Sequence, residues 1–569
     1  MAQSADISAD AALIRGPAWD QEPGLGSLTL PGYLREVTSR FADNEALAMP
    51  RPGGHTERWT YRDVWDRAHA VARALAGCGA GRDARIGILM TNRPEWVSAF
   101  FGAGLAGGTA VGLSTFSTPA ELDNLIKASG ISILLFERSV AGKDFAAMLC
   151  ELEPAIATAA PGTLRSVRFP FLRHLAVVDA AGADGAMETW AQFLTRGNAI
   201  PPALIDARAA GVTLADPAVL FFSSGSTGKP KGILSAHRGV CIQSWRWKRL
   251  YDFDSNVRSW SPNGLFWSGN LAISLGGTFA AGGTLVLQPL FNPADSVALL
   301  ENERVSFPYC WPHQWAQLEE AAGWDEADLS AFHYFDVAQY LHRTQTSIAT
   351  QWNDPRAAYG FTEAFTIISA LACNLPLAEI AGHSGPALPG NTIRIVDPDT
   401  GQTLRKGETG EIAFKGPALM LGYIGVPNDE VLDDRGFFHT GDGGLIDAAD
   451  RLVFQGRIND IIKTGGANVS PVEVDWTLCA CPGVKVCKTT GVPHDTLGEM
   501  VVSCVVREDG AMLSEADVIA WVKSRLASYK VPRKVLFVAE ADFGMTDTAK
   551  IKPAEIRALA ARLLAGSAA

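Results

Sequence analysis

The chain has 569 residues, 47% of them apolar and 19% charged, a balance that excludes a disordered polypeptide and provides for about three or four folding units. Its 61 acidic and 49 basic residues leave a net charge of -12 without long single-sign blocks, so no nucleic-acid footprint is present. The N-terminal MAQSADISADAALIRG has no basic segment followed by an apolar core, and the nine cysteines show no disulfide spacing. A reducing, cytoplasmic setting is the expectation.

After a polar leader, apolar residues at helical spacing (Val64, Ala68, Val71, Ala72, Leu75) predict an amphipathic helix over 59–77. There follow a strand over 85–90, a helix over 94–105, a strand over 109–113, a helix over 119–129 and a strand over 131–136. Thr118, Pro119 and Glu121 give the second of these helices a capping box with proline in the first turn. Strands alternating with helices imply a parallel sheet covered on its faces. Residues 140–215 are rich in Ala and Pro, and their periodicity is weak. The apolar stretch 271–291 is the nearest approach to a membrane span, but Gly276-Gly277 and Gly282-Gly283 divide it into a short helix, a turn and a strand over 284–287. No transmembrane segment is expected. Cys479, Cys481 and Cys487 lack metal-ligand spacing and read as buried thiols.

An apolar run over 218–222 reads as a buried strand leading into SSGSTGKPKG, residues 223–232. Small hydroxyl residues, glycines and lysines suit a phosphate cradle in which backbone N-H groups converge on an anion. The same composition also suits a surface hairpin. The common phosphate loop is excluded, because Lys229 is followed by Pro230 and no glycine stands at position 223. Further on, a helix over 237–247 precedes an aromatic turn, NGLFWSGN, at 263–270. Then come YGFTE at 359–363, the glycine-broken strands GETGEIAFKGPALMLGY at 407–423, GFFHTGD at 436–442, and GRINDIIKTGGANVSP at 456–471. The last hundred residues read as an alpha+beta unit with strands over 484–488, 501–506 and 535–539 and a helix from Ser514 to Ser528, ending in TDTAKIKP.

Taken in order, these motifs resemble those of the adenylate-forming enzymes, the superfamily of acyl-CoA synthetases, peptide-synthetase adenylation domains and luciferases. The acyl-CoA synthetases are the most similar group. The resemblance implies an α/β fold: a large N-terminal region (1–458) of two parallel-sheet subdomains plus a small β-barrel, then a mobile α+β lid (459–569). It implies ATP, Mg2+ and coenzyme A as participants. It places Ser223, Ser224, Gly225, Ser226, Thr227, Gly228 and Lys231 at the ATP phosphates, with Thr227 and Lys231 balancing charge during reaction. Tyr359 and Gly360 would lie at the adenine, Thr362 near the α-phosphate, Glu363 on magnesium, Asp442 on the ribose hydroxyls and Arg457 on phosphate or ribose. Asn459 matches the hinge, Lys463, Gly465 and Gly466 the coenzyme A side, and Lys550 the catalytic lysine. Phe266, Trp267, Gly269 and Phe335, with Tyr309 nearby, would line an apolar acyl pocket. Trp267 stands where many members have histidine, and either gates the pocket or fills core. The missing aspartate in this turn argues against an α-amino acid.

Two departures stand out. Asp336, Val337, Ala338 and Gln339 replace the family's adenine-framing Gly-Gly-Ala-Pro, and Ala549 replaces the glycine before the lysine. The resulting expectation is activation of a fatty, aryl or alicyclic acid through an acyl-adenylate and its transfer to coenzyme A. Two alternatives stand beside it: loading of a carrier-protein phosphopantetheine, and a non-catalytic nucleotide or acyl-CoA binder. A homodimer is the base-rate expectation for oligomeric state.

Overall fold

The computed structural model describes residues 10–223, 231–334, 358–460, 462–464, 467–494, 497–526, 528–543 and 553–566. Its centre is an eight-stranded sheet in the order Met187–Thr189, His174–Val178, Ile133–Glu137, Arg85–Leu89, Thr109–Gly112, Pro217–Ser223, Lys231–Ala236, Gly422–Tyr423. The first six strands are parallel and the last two antiparallel. Side chains on the strands alternate between faces. Ile133 and Leu135 join the core under the helices Leu30–Arg40, Tyr61–Gly77 and Pro94–Leu105, while Leu134 and Phe136 join the core under Pro119–Ser129 and Phe145–Leu152.

Pro94–Leu105 and Pro119–Ser129 have the expected bounds, and the Thr118–Glu121 capping box is formed. Trp59 departs from expectation: it belongs to the strand Thr56–Thr60, and the helix begins at Tyr61 behind a Thr60–Asp63 capping box. Residues 140–215 contain two strands of the large sheet, His174–Val178 and Met187–Thr189, with a short strand, Lys143–Asp144, and short helices.

The second sheet is assembled from distant segments: Phe307–Pro308, Arg258–Trp260, Thr284–Val286 and Glu45–Pro50 in parallel, with Thr56–Thr60 antiparallel at the edge. The helix before Thr284 does not break at Gly276-Gly277; it continues through a π-helical stretch, Leu271–Gly277, into Thr278–Ala281. A Cβ on Gly276 would lie 2.3 Å from Ser244 Oγ, so glycine serves close approach to the helix His237–Tyr251.

The third sheet is antiparallel, its pairing running linearly through Leu13–Arg15, Thr392–Val396, Gly410–Lys415, Phe438–Ile446 and Leu452–Arg457. It stands where a small barrel was expected. The C-terminal unit has strands Ala467–Val469, Ile462–Thr464, Gly498–Arg507, Val484–His494 and Lys534–Phe537 with helices Pro471–Cys479, Glu515–Lys523 and Pro553–Gly566. Cys481 and Cys487 are buried there, but Cys479 is exposed, with its sulfur 3.4 Å from that of Cys487. Among the described residues, no helix is long and apolar enough to cross a membrane.

Candidate active site

Pro217–Ser223 lies in the interior of the large sheet, parallel to Thr109–Gly112 and antiparallel to Lys231–Ala236, and its last paired position is Ser223 with Lys231. Burial of Ala218, Val219, Leu220 and Phe221 holds the strand in place. The segment SSGSTGKPKG therefore begins on one strand of an antiparallel pair in the core and ends on the other. Ser224, Gly225, Ser226, Thr227 and Gly228 lie outside the described residues, and Ser223 is described only as a strand position. Lys231 is exposed, its ammonium 5.0 Å from the centre of the Tyr423 ring, within cation–π range.

Tyr423 connects this lysine to the YGFTE segment. Its hydroxyl donates to Glu363 Oε1 at 2.5 Å, and burial beside that carboxylate pushes the phenol pKa up. Glu363 is half-buried in the turn Thr362–Ala364 and retains free lone pairs on a hard oxygen donor, which suits magnesium. The turn joins the strands Ala358–Gly360 and Ile367–Ala370. Gly360 is obligatory here, since a Cβ would lie 1.7 Å from Thr366 O. Phe365 adopts φ 65°, ψ -47°, a strained backbone for a bulky residue. Its fully buried side chain packs against Phe221. Behind the turn, Gln243 Nε2 donates to the carbonyls of Ala364 at 2.9 Å and Ile367 at 2.7 Å. Trp247 Nε1 donates to Thr366 Oγ1 at 3.1 Å. The helix His237–Tyr251 thus fixes the carboxylate-bearing turn.

Asp442 lies in the strand Phe438–Ile446, opposite Arg457. Its Oδ1 is 2.9 Å from Arg457 Nε, and its Oδ2 accepts the Tyr359 hydroxyl at 2.5 Å. Burial raises the Asp442 carboxyl pKa against the lowering effects of Tyr359 and Arg457. Both oxygens keep acceptor capacity, so the pair can still receive vicinal hydroxyls. The Tyr359 ring is 6% exposed and stacks on Phe454 at 5.1 Å, so one of its two faces is already occupied.

In the aromatic turn, Asn92 accepts from the Leu265 N-H at 2.9 Å and donates to Asn263 O at 2.8 Å. Phe266 is buried, whereas Trp267 and Gly269 are half-buried. The nearest described atom to a Cβ on Gly269 would be the Tyr309 hydroxyl at 4.0 Å, so Tyr309 lies within contact distance of this side of the turn. Phe335 and the replaced adenine-framing segment 336–339 lie outside the described residues.

Two family models match: that of the AMP-binding enzymes over residues 34–424, and that of the AMP-binding enzyme C-terminal domain over 473–550. The chain belongs to the AMP-binding enzyme family. Among its relatives are a feruloyl-CoA synthase of Amycolatopsis sp., 30% identical over 513 residues that cover 88% of this chain and 93% of that protein. Another is the 3-[(3aS,4S,7aS)-7a-methyl-1,5-dioxo-octahydro-1H-inden-4-yl]propanoyl:CoA ligase of Mycobacterium tuberculosis, 28% identical over 518 residues, 90% of this chain and 95% of that protein. The fold is shared with the ATP-bound MatB of Rhodopseudomonas palustris, at TM-score 0.71 and 23% identity over 94% of this chain and 99% of that one.

In this AMP-binding enzyme the described structure brings Lys231 and Glu363 together through Tyr423, and Tyr359 and Arg457 together on Asp442. Thr362 adjoins the first group by sequence. Asn459 sits in the turn Ile458–Asp460, and Lys463 is exposed on Ile462–Thr464, with its backbone N-H on Glu499 Oε2 at 2.8 Å. Gly465, Gly466 and Lys550 lie outside the described residues. Sequence reasoning missed Tyr423 and Gln243. Tyr423 closes a segment read only as strand, and Gln243 is a fully buried amide within an otherwise ordinary helical pattern.

Proposed function

We propose that the protein is an AMP-forming acid:CoA ligase acting on a fatty, aryl or alicyclic carboxylic acid. The observation that carries this reading is the convergence of Lys231, from the phosphate hairpin, and Glu363, from the YGFTE turn, on Tyr423. A cation and a carboxylate held at one point suit a polyphosphate with its magnesium. When bound on Glu363, that magnesium supplies neutralisation of phosphate charge.

A carboxylate resists attack by a thiol because oxide is a poor leaving group. In the proposed first step a substrate carboxylate oxygen attacks the α-phosphorus of ATP, the bond to the β-phosphate oxygen breaks, and pyrophosphate leaves an acyl-adenylate. In the second, the coenzyme A thiolate attacks the acyl carbon and AMP departs with the bonding electron pair. Positioning and charge balance carry both steps. Lys231, Thr227 and the loop Ser223–Gly228 are assigned to the phosphates, Lys550 to the reacting oxygens, and Asp442 with Tyr359 and Gly360 to the nucleoside. Arg457 orients Asp442. Asn459 serves as hinge, and Lys463, Gly465 and Gly466 lie toward coenzyme A.

Half-buried Trp267, with Tyr309 at contact distance from Gly269, supports an apolar ring or chain as substrate. Names of relatives favour testing feruloyl-type aryl acids and fused-ring propanoic acids first. Incubation of an acid panel with ATP and magnesium, with and without coenzyme A, tests the reading. Thioester and AMP in equal amounts, with thioester absent when coenzyme A is omitted, are expected. Pyrophosphate release without thioester would move the acceptor to a carrier protein, and no turnover across fatty, aryl and alicyclic acids would overturn the reading.

A further inference from the structure

Away from the nucleotide region, Cys78, His174 and Glu188 meet with one donor atom of each within 4.8 Å of the others. Cys78 caps the helix Tyr61–Gly77, His174 opens the strand His174–Val178, and Glu188 lies on the neighbouring Met187–Thr189, the outermost strand of the large sheet. Four strands separate that edge from Pro217–Ser223. Arg196 donates from Nε to both oxygens of Glu188, at 2.8 and 2.7 Å. This ion pair accounts for Glu188 and Arg196 but leaves His174 unexplained. Although only 9% exposed, His174 presents a buried Nδ1 with no hydrogen-bond partner. A neutral imidazole carries a lone pair on one of its two nitrogens, and that nitrogen is the one able to ligate a metal.

We propose that Cys78, His174 and Glu188 form a zinc-type divalent cation site, completed to four ligands by water. A sulfur, a nitrogen and an oxygen donor at one point suit zinc, whereas magnesium and calcium take oxygen alone. On binding, the Cys78 S-H bond breaks, its proton passes to solvent and the sulfur lone pair bonds the metal. Thiolate and carboxylate then balance the two positive charges. Arg196 and Arg173 are the cations facing the ring. Arg196, with 27% of its side chain exposed, can turn outward and release a Glu188 oxygen. The bound ion would tie the end of the helix to the sheet edge.

Reduced, chelator-treated full-length protein titrated with Co2+ and then Zn2+ tests the site. One equivalent of cobalt should give a thiolate-to-metal charge-transfer band that zinc bleaches. The band should vanish in Cys78→Ser, and His174→Gln should weaken zinc binding about tenfold or more. Arg196→Gln should tighten it by removing the competitor for Glu188. The double variant Cys479→Ser, Cys487→Ser should keep the band, and thermal melts of each apo variant check folding. Absence of stoichiometric binding to the wild-type chain would overturn the proposal. So would a band that survives Cys78→Ser, or one that disappears only with Cys479 and Cys487.

Discussion

The Asp442 carboxylate accepts one hydrogen bond from a buried phenol and faces a half-exposed arginine, and its titration follows from that setting. Burial raises its pKa, and the Tyr359 hydrogen bond is the largest influence pulling it back. If Asp442 holds the ribose hydroxyls, only the ionised form can accept both protons, so kcat/KM for ATP should fall on the acid side at a pH above the ordinary aspartate range. Tyr359→Phe keeps the ring but removes the pull, and should move that acid limb to higher pH. Asp442→Asn should abolish the limb and raise KM for ATP about tenfold or more, the loss of one charge-assisted hydrogen bond. A pH profile unchanged by Tyr359→Phe would detach this carboxyl from nucleotide binding.

The turn between Ala358–Gly360 and Ile367–Ala370 is held by contacts that no local rule reveals. Its strain at Phe365 persists because Gln243 and Trp247 fix the surrounding carbonyl and hydroxyl groups from behind. Gln243→Leu leaves two carbonyls without their donor and should cost about 2–4 kcal/mol in stability. Because Glu363 lies in the same turn, its magnesium requirement in pyrophosphate exchange should rise as well. Lost stability with an unchanged magnesium requirement would reduce Gln243 to packing. The helices Pro94–Leu105 and Pro119–Ser129 were readable to the residue because proline, cap and periodicity agree within a few positions. Gly276-Gly277 was misread because glycine marks both breaks and close approach, and only the partner, Ser244, distinguishes them. Gln243 was illegible for the same reason: its acceptors lie more than a hundred residues away.

At the scale of the molecule, apolar runs made four of the six parallel strands of the large sheet legible, but of the second sheet only Thr284–Val286, because its strands are short and Glu45–Pro50 pairs with Thr284–Val286 across more than two hundred residues. Motif order pointed to Lys231, Glu363, Tyr359, Asp442 and Arg457, which the structure gathers around Tyr423 and Asp442. The C-terminal unit touches the larger region where Ser470 donates to the Gln455 carbonyl and where a Cβ on Gly456 would lie 3.2 Å from Val472. These contacts flank Ile458–Asp460, the turn proposed as hinge. Two chemically distinct half-reactions at one site require different groups to be presented in turn, and a rotating lid does this without building a second site. Lys550 would then serve only the first arrangement. Lys550→Ala should slow adenylate formation, measured by pyrophosphate exchange, roughly a hundredfold or more, as removal of one charge-stabilising donor does. Thioester formation from supplied acyl-adenylate should stay within about threefold of wild type, since that step proceeds with the lysine withdrawn. Equal losses in both half-reactions would mean that Lys550 supports the lid as a whole, and the two-arrangement account would fall with it.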